Sequence, residues 1–224
     1  MLKYDKFNIC LSKSFIYHIL HKHNLTYKKL YVKNIPYDND KFNIFKNDLK
    51  NKINDIANID NFISYDEMSI YLNSKPYKGW SIKGNDCFIK TKNKTIGMSV
   101  DINSNIDFTI KEKTLDGYTF NKFIKKINKK SDKIIFLDNA SIHKNKQFNS
   151  DIIKNKWNII YNIPYHSHLN PIEYVFSLLR KNILNNNVET ISDIINVVLL
   201  FKKNINKNHI KNIFNKCLNE IKSV

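Results

Sequence analysis

The chain has 224 residues, 42% of them hydrophobic, which is enough apolar surface for one well-buried domain with a small appendage and argues against disorder. Lys and Arg outnumber Asp and Glu by 37 to 20, a formal charge of +17, so a polyanion such as nucleic acid is the favoured partner. Three scattered cysteines, Cys10, Cys87 and Cys217, form no Cys-x-x-Cys pair, which fits a reducing intracellular setting, and no apolar run approaches the ~20 residues of a membrane span, so a soluble protein is expected.

Residues 1–33 contain Leu11 to Leu20, where Ser12 or Ser14 caps a helix with Phe15, Ile16, Ile19 and Leu20 on one face and Lys13, Tyr17, His18 and His21 outward. This pattern fits the second half of a helix-turn-helix, or a surface amphipathic helix packed on the main domain. Residues 34–60 read as a connector and a packing helix from Lys41 to Ile56, its apolar face made by Phe42, Phe45, Leu49 and Ile53. The main domain, 61–184, opens with a strand from Phe62 to Leu72. A turn through Gly79 and Gly84 follows, then a strand pair across Cys87 to Ile102 with Asn93 near its turn, a strand near Phe108 to Lys111, and a helix from about Tyr118 to Asn128. A strand ending at Asp138, a helix around Lys146 to Lys154, a strand from Trp157 or Asn158 to Ile163 and a helix opened by Asn170-Pro171 complete it. Residues 185–224 hold a helix capped at Thr190 running through Leu200 and a last amphipathic helix around Ile210 to Ile221, read as packing helices with Lys on their polar faces. Antiparallel strands followed by strand-helix alternation predict an α/β fold: a mixed sheet with helices over it.

Three acids stand out. Asp66 sits with Glu67 inside the apolar strand Phe62 to Leu72, and alternation lets only one of the two face a given site. Asp138 ends the apolar run that starts at Lys133. Glu173 falls in the first turn of the Pro171 helix, where the helix dipole favours a carboxylate; taken alone it reads as an ordinary first-turn Glu. A carboxylate in an apolar strand needs a cation or hydrogen-bond partners, so three acids from separate elements suggest a shared metal site.

These residues also carry a resemblance. Asp66-Glu67, Asp138-Asn139-Ala140-Ser141-Ile142-His143 and Tyr165-His166-Ser167-His168-Leu169-Asn170-Pro171-Ile172-Glu173 resemble, in order, the three catalytic motifs of the DDE transposases of the mariner-type superfamily, especially their bacterial insertion-sequence branch. Between Asp138 and Glu173 lie 34 residues (173 − 138 − 1), the spacing of the Asp-Asp-Glu branch, and Gly79-Trp80-Ser81-Ile82-Lys83-Gly84 resembles the turn after the first Asp. The pattern's Ser-Pro-Asp is replaced by His166-Ser167-His168, two imidazoles that read as solvated loop residues or as contacts to phosphate or metal.

The resemblance implies a ribonuclease-H-like five-stranded mixed sheet, an N-terminus that begins inside a DNA-binding helix-turn-helix, and DNA-contacting residues Lys13, Tyr17, His18 and His21. It implies catalytic, metal-holding Asp66, Asp138 and Glu173 with two Mg²⁺ ions, Mn²⁺ substituting, and supporting roles for Asn139, His143, Asn170 and Trp80. His143 is expected to brace the Asp138 loop, and Trp80 to cover the sheet edge or stack on a base. The implied reaction is nicking at element ends, then attack of the freed 3′-hydroxyl on target DNA. The implied partners are double-stranded DNA, a second copy assembled on it, and a separate upstream DNA-binding polypeptide. The implied location is with the DNA, in a prokaryotic cytoplasm or a eukaryotic nucleus or viral factory. A catalytically silent remnant that binds DNA is the competing reading, and a ribonuclease or resolvase on the same fold a further one.

Overall fold

The computed structural model describes residues 2–4, 9–25, 39–56, 59–72, 92–129, 133–186 and 188–223. The Gly79 to Gly84 turn, Trp80 and Cys87 lie outside them. The chain forms two compact units, Met1–Ile35 and Pro36–Val224.

In the first unit, β1 (Leu2–Tyr4) pairs antiparallel with β2 (Ile9–Leu11), and α1 (Lys13–Lys22) follows. Ser12 caps α1 by accepting from the Phe15 N–H at 3.1 Å, as its position predicts. A two-stranded ribbon, with apolar residues at alternate positions Leu2, Tyr4, Ile9 and Leu11, leads into this one helix, and the remainder of the expected helix-turn-helix segment, residues 26–33, lies outside the described residues. No residue of α1 is buried, and the expected apolar face of Phe15, Ile19 and Leu20 is exposed.

The second unit is built on one sheet of order β5-β4-β3-β6-β7. Its strands are β3 (Phe62–Leu72), β4 (Lys92–Asp101), β5 (Ile106–Lys111), β6 (Ile134–Leu137) and β7 (Asn158–Tyr161). The β3–β4 and β4–β5 pairings are antiparallel, β3–β6 and β6–β7 parallel. Asn93, expected near a turn, pairs with Tyr71 inside the β3–β4 ladder, because β3 is long enough to extend the pairing to Lys92. The turn lies instead between β4 and β5, where Asp101 accepts from the Asn105 N–H and Ser104 takes a left-handed conformation.

Alternation along β3 sorts two cores. Phe62, Met68, Ile70 and Leu72 face a large cluster with α5 (Pro171–Asn185), α6 (Ile191–Asn204) and α7 (Lys207–Ser223). Tyr65 faces the smaller cluster on the other side, with Phe120, Phe123 and Ile124 of α3 (Gly117–Ile127) and Phe148 of α4 (Lys146–Asn155). In α2 (Asn39–Asn54), Leu49 and Ile53 are buried, but Phe45 is exposed, so the buried stripe is narrower than the periodicity predicts. The Thr190 cap forms a full capping box with Asp193.

Candidate active site

The parallel register fixes two of the acids. Ser64 pairs with Phe136, and extending that register by two residues sets Asp138, just past β6, alongside Asp66. Glu173 arrives from the first turn of α5, whose first residue is Pro171. Asp66, Asp138 and Glu173 line one cleft of ≈ 370 Å³, shared with Asn139, Asn162 and Asn170. Glu67 points through the sheet to the opposite side, so Asp66 is the acid that faces the cleft.

The electrostatics of the three differ. Burial, then the charge of Asp138, pushes the Asp66 carboxyl up to about 8. Glu173 is raised by burial, with Arg180 opposing and Asp138 adding to the rise. Burial also opposes ionisation of Asp138, but His143 and the Ala140 N–H outweigh it and hold that carboxyl below its usual value.

His143 is fully buried and bridges two acids. Its Nδ1 lies 2.5 Å from Asp138 Oδ1, an ion pair rather than a well-aligned hydrogen bond, and its Nε2 is 3.1 Å from Glu67 Oε1. Burial disfavours the imidazolium, yet the two carboxylates carry its pKa to about 9. Tyr65 donates to the same Glu67 oxygen at 2.8 Å. A relay Tyr65–Glu67–His143–Asp138 thus passes through the sheet and fixes the Asp138 carboxylate from behind.

Two further clamps set the loops. Asn170 occupies the N-cap of α5 without capping it by its side chain; Ser64 of β3 supplies the cap, accepting from the Ile172 N–H at 3.2 Å while its hydroxyl donates to Asn170 Oδ1. Ser64 and Asp66 share a face of β3, so this contact ties the strand carrying one acid to the helix carrying another. On the other side Asn139 Nδ2 donates to the Asn162 carbonyl, and Asn162 Nδ2 donates to the His166 carbonyl at 2.8 Å. Asn162 therefore joins the Asp138 loop to the segment leading into α5.

A family model described as DDE superfamily endonuclease matches residues 61–195, more than half of the chain. The chain belongs to the DDE endonuclease superfamily. No curated protein matches. Among solved structures this DDE endonuclease is similar to the Mos1 mariner paired end complex with Mn, at 13% identity and a TM-score of 0.73, covering 94% of this chain and 69% of that one. The catalytic domain of Mos1 mariner transposase gives 10% identity and a TM-score of 0.67, covering 86% and 94%. The Mos1 paired end complex with Mg gives 12% and 0.66, covering 94% and 71%. These likenesses establish the ribonuclease-H-like fold.

Of the residues singled out from sequence, the structure brings Asp66, Asp138, Glu173, Asn139 and Asn170 to the DDE cleft, with His143 directly behind it. Among the described residues no three His, Cys, Asp or Glu side chains close on a common point as a ready-made metal cage. His166 lines the cleft and bonds through Nδ1 to the Pro164 carbonyl at 2.8 Å; the His168 ring lies 5.4 Å from that of His166, tilted by 45°, its pKa lowered by burial and then by His166. Lys13, Tyr17, His18 and His21 lie exposed on α1 in the first unit, and the Tyr17 ring lies 4.3 Å from that of His21. Sequence reasoning missed Ser64, Tyr65 and Asn162, and it named Glu67 beside Asp66 without the bracing role that Glu67 has behind the cleft. The position of Ser64 two residues before Asp66 was the one available signal, since it places both on one strand face.

Proposed function

We propose that this chain is a transposase that cleaves DNA strands at the ends of a mobile element and joins the freed 3′-hydroxyl to target DNA. The observation that carries the reading is the convergence of Asp66, Asp138 and Glu173, from a strand, a strand end and a helix start, on one cleft. The net charge of +17 suits a DNA partner, and the Mos1 transposase was solved in complex with its left transposon end and in a strand transfer complex. Two copies assembled on double-stranded DNA, with element ends and target as substrates, form the working unit of this reading.

The cleft suits divalent cations. One of its acids is driven to about 8 by burial and then by the charge of Asp138, and carboxylate oxygens are the donors that hard ions such as Mg²⁺ prefer, with Mn²⁺ as substitute. Asp66, Asp138 and Glu173 would hold two such ions, which when bound neutralise phosphodiester charge and acidify the attacking water. The chain's own contribution is orientation. His143 keeps Asp138 ionised and fixed, Ser64 locks the start of α5 so that Glu173 presents from a rigid turn, and Asn162 holds the intervening loop.

The test is nicking of supercoiled plasmid in Mg²⁺ or Mn²⁺ by the parent and by Asp138→Asn purified identically. Metal-dependent nicking absent from the variant is expected. Equal nicking by both refutes the assignment, and DNA retardation without nicking by either points to a silent DNA-binding remnant.

A further inference from the structure

We propose that the outward face of α6 is a contact surface for a second copy of this chain, the two α6 helices packing antiparallel about a two-fold axis with no DNA required. The inference goes beyond the DNA-cleaving reading and stands or falls without it. Along α6, Ile194, Val197, Val198 and Phe201 are buried in the large core. With 3.6 residues per turn, the opposite side presents Ser192, Ile195, Asn196, Leu199, Leu200 and Lys203. Three of these are large apolar side chains turned to water: Ile195 is 36% exposed, Leu199 50% and Leu200 56%. The neighbouring α7, packed on the same core, exposes no large apolar side chain, so packing on this core does not demand such a face. Beside Leu200 lies a groove of ≈ 280 Å³ whose walls include Leu178 and Asn182 of α5 and Phe201 and Asn204 of α6.

The charges of α6 say what covers this face. Glu189 and Asp193 stand at its N-terminal end, Lys202 and Lys203 at its C-terminal end. Lys202 donates to the Ile106 carbonyl at 2.6 Å, toward the sheet, which leaves Lys203 as the outward cation of that end. A two-fold axis passing beside Val197 and Val198 sets Ile195 of each copy against Leu200 of the other and Asn196 against Leu199. The same axis brings Lys203 to Ser192, within a turn of Glu189 and Asp193, so the two ends are complementary in charge. Each helix N-terminus then lies by the other's C-terminus, the favourable order of dipoles. A parallel pair would instead set Lys203 against Lys203 and Glu189 against Glu189. In the antiparallel pair the groove beside Leu200 receives Ile195 of the other copy. A nucleic acid does not match this face, because one outward lysine among apolar side chains offers little to phosphate.

The experiment is sedimentation equilibrium of the full chain without DNA at concentrations up to about 100 µM. Each copy carries +17, so the salt is set at about 0.15 M, where charges more than about 8 Å apart are largely screened. The parent should show a monomer–dimer equilibrium. Leu199→Glu should weaken it at least about tenfold, since an isologous contact suffers each substitution twice. Lys203→Glu should weaken it about tenfold by facing Glu189 and Asp193, and adding Glu189→Lys should recover most of that loss. A parent that stays monomeric throughout overturns the proposal. So does a dimer indifferent to both Leu199→Glu and Lys203→Glu, which places the contact on another surface. A loss in Lys203→Glu that Glu189→Lys fails to recover overturns the antiparallel pairing. Should Leu199→Glu fail to fold, as circular dichroism would show, the charge exchange decides alone. Plasmid nicking by the parent tests the cleavage reading whatever the sedimentation result.

Discussion

Ser64→Ala tests whether one hydroxyl couples β3 to α5. Ser64 is fully buried, Ile172 likewise, and Asn170 is 1% exposed, so water cannot replace what the hydroxyl provides. Its removal strands the Ile172 N–H and Asn170 Oδ1, in an amide whose Nδ2 already lacks a protein partner. Each unsatisfied buried polar group costs about 1–3 kcal/mol, the helix-cap loss of about 0.5–2 kcal/mol being part of the Ile172 share, so the two stranded groups together cost roughly 2–4 kcal/mol. For a unit of this size that lowers Tm by roughly 5–15 °C. Urea unfolding followed by circular dichroism reads the free energy, and hydrogen exchange reads the site, where the Ile172 and Glu173 amides should lose protection before those in the middle of α5. The Ser64→Ala/Asn170→Ala double variant should be less destabilised than the sum of the singles by at least about 0.5 kcal/mol. A single variant within about 0.5 kcal/mol of the parent, or unchanged exchange at Ile172, refutes the clamp.

Gly97→Ala should destabilise by about 1–3 kcal/mol in urea unfolding, because its Cβ would lie 2.8 Å from the Tyr65 hydroxyl, in a ring too buried to swing away; nicking should fall further than stability explains, since that hydroxyl anchors Glu67 and hence His143. Cys217 should resist iodoacetamide at about pH 9 in the native state and react in urea, as peptide mapping can show, because burial pushes its thiol up to about 12. The sign follows: the raised folded value favours the protonated thiol, so its stabilising contribution is complete below about 9 and is lost as pH climbs toward 12. Asp116, the N-cap of α3, is held at about 2 by the Lys111 ammonium and then the Thr119 N–H, so a carboxyl titration by NMR should place its midpoint there and Lys111→Met should raise it toward 3.8; its contribution is present above about 3.8 and lost as pH falls to about 2.

Much of the sheet was legible because its signals are local. The apolar runs at Phe62 to Leu72 and Ile134 to Leu137 are strands, and the capping residues Ser12 and Thr190 start helices where their side chains predict. Register was not legible. Nothing in the neighbourhood of Asn93 says that its strand pairs as far as Tyr71, since the pairing depends on the length of a partner distant in sequence. Exposure of Phe45 and of the α1 face was illegible for the same reason: periodicity states which residues lie on one side of a helix and leaves open what covers them.

The cleft divides along the same line. Asp66, Asp138 and Glu173 announce themselves by chemistry, as acids set in apolar surroundings, and the parallel β3–β6 register explains why two of them meet. What holds them is another matter. Ser64, an ordinary residue type that passes unremarked, reaches a helix 106 residues away, and His143, expected to brace the Asp138 loop, also reaches Glu67 across 76 residues, a partner that no local signal names. Asn170 shows the consequence most sharply: its type and position identify a helix start correctly, yet the cap itself comes from the strand that carries Asp66, so the start of α5 is defined by the sheet as well as by its own sequence. A site assembled this way transmits small shifts of β3 to Glu173 directly, which is why substitutions at Ser64 or Gly97, neither of them an acid, should reach the chemistry.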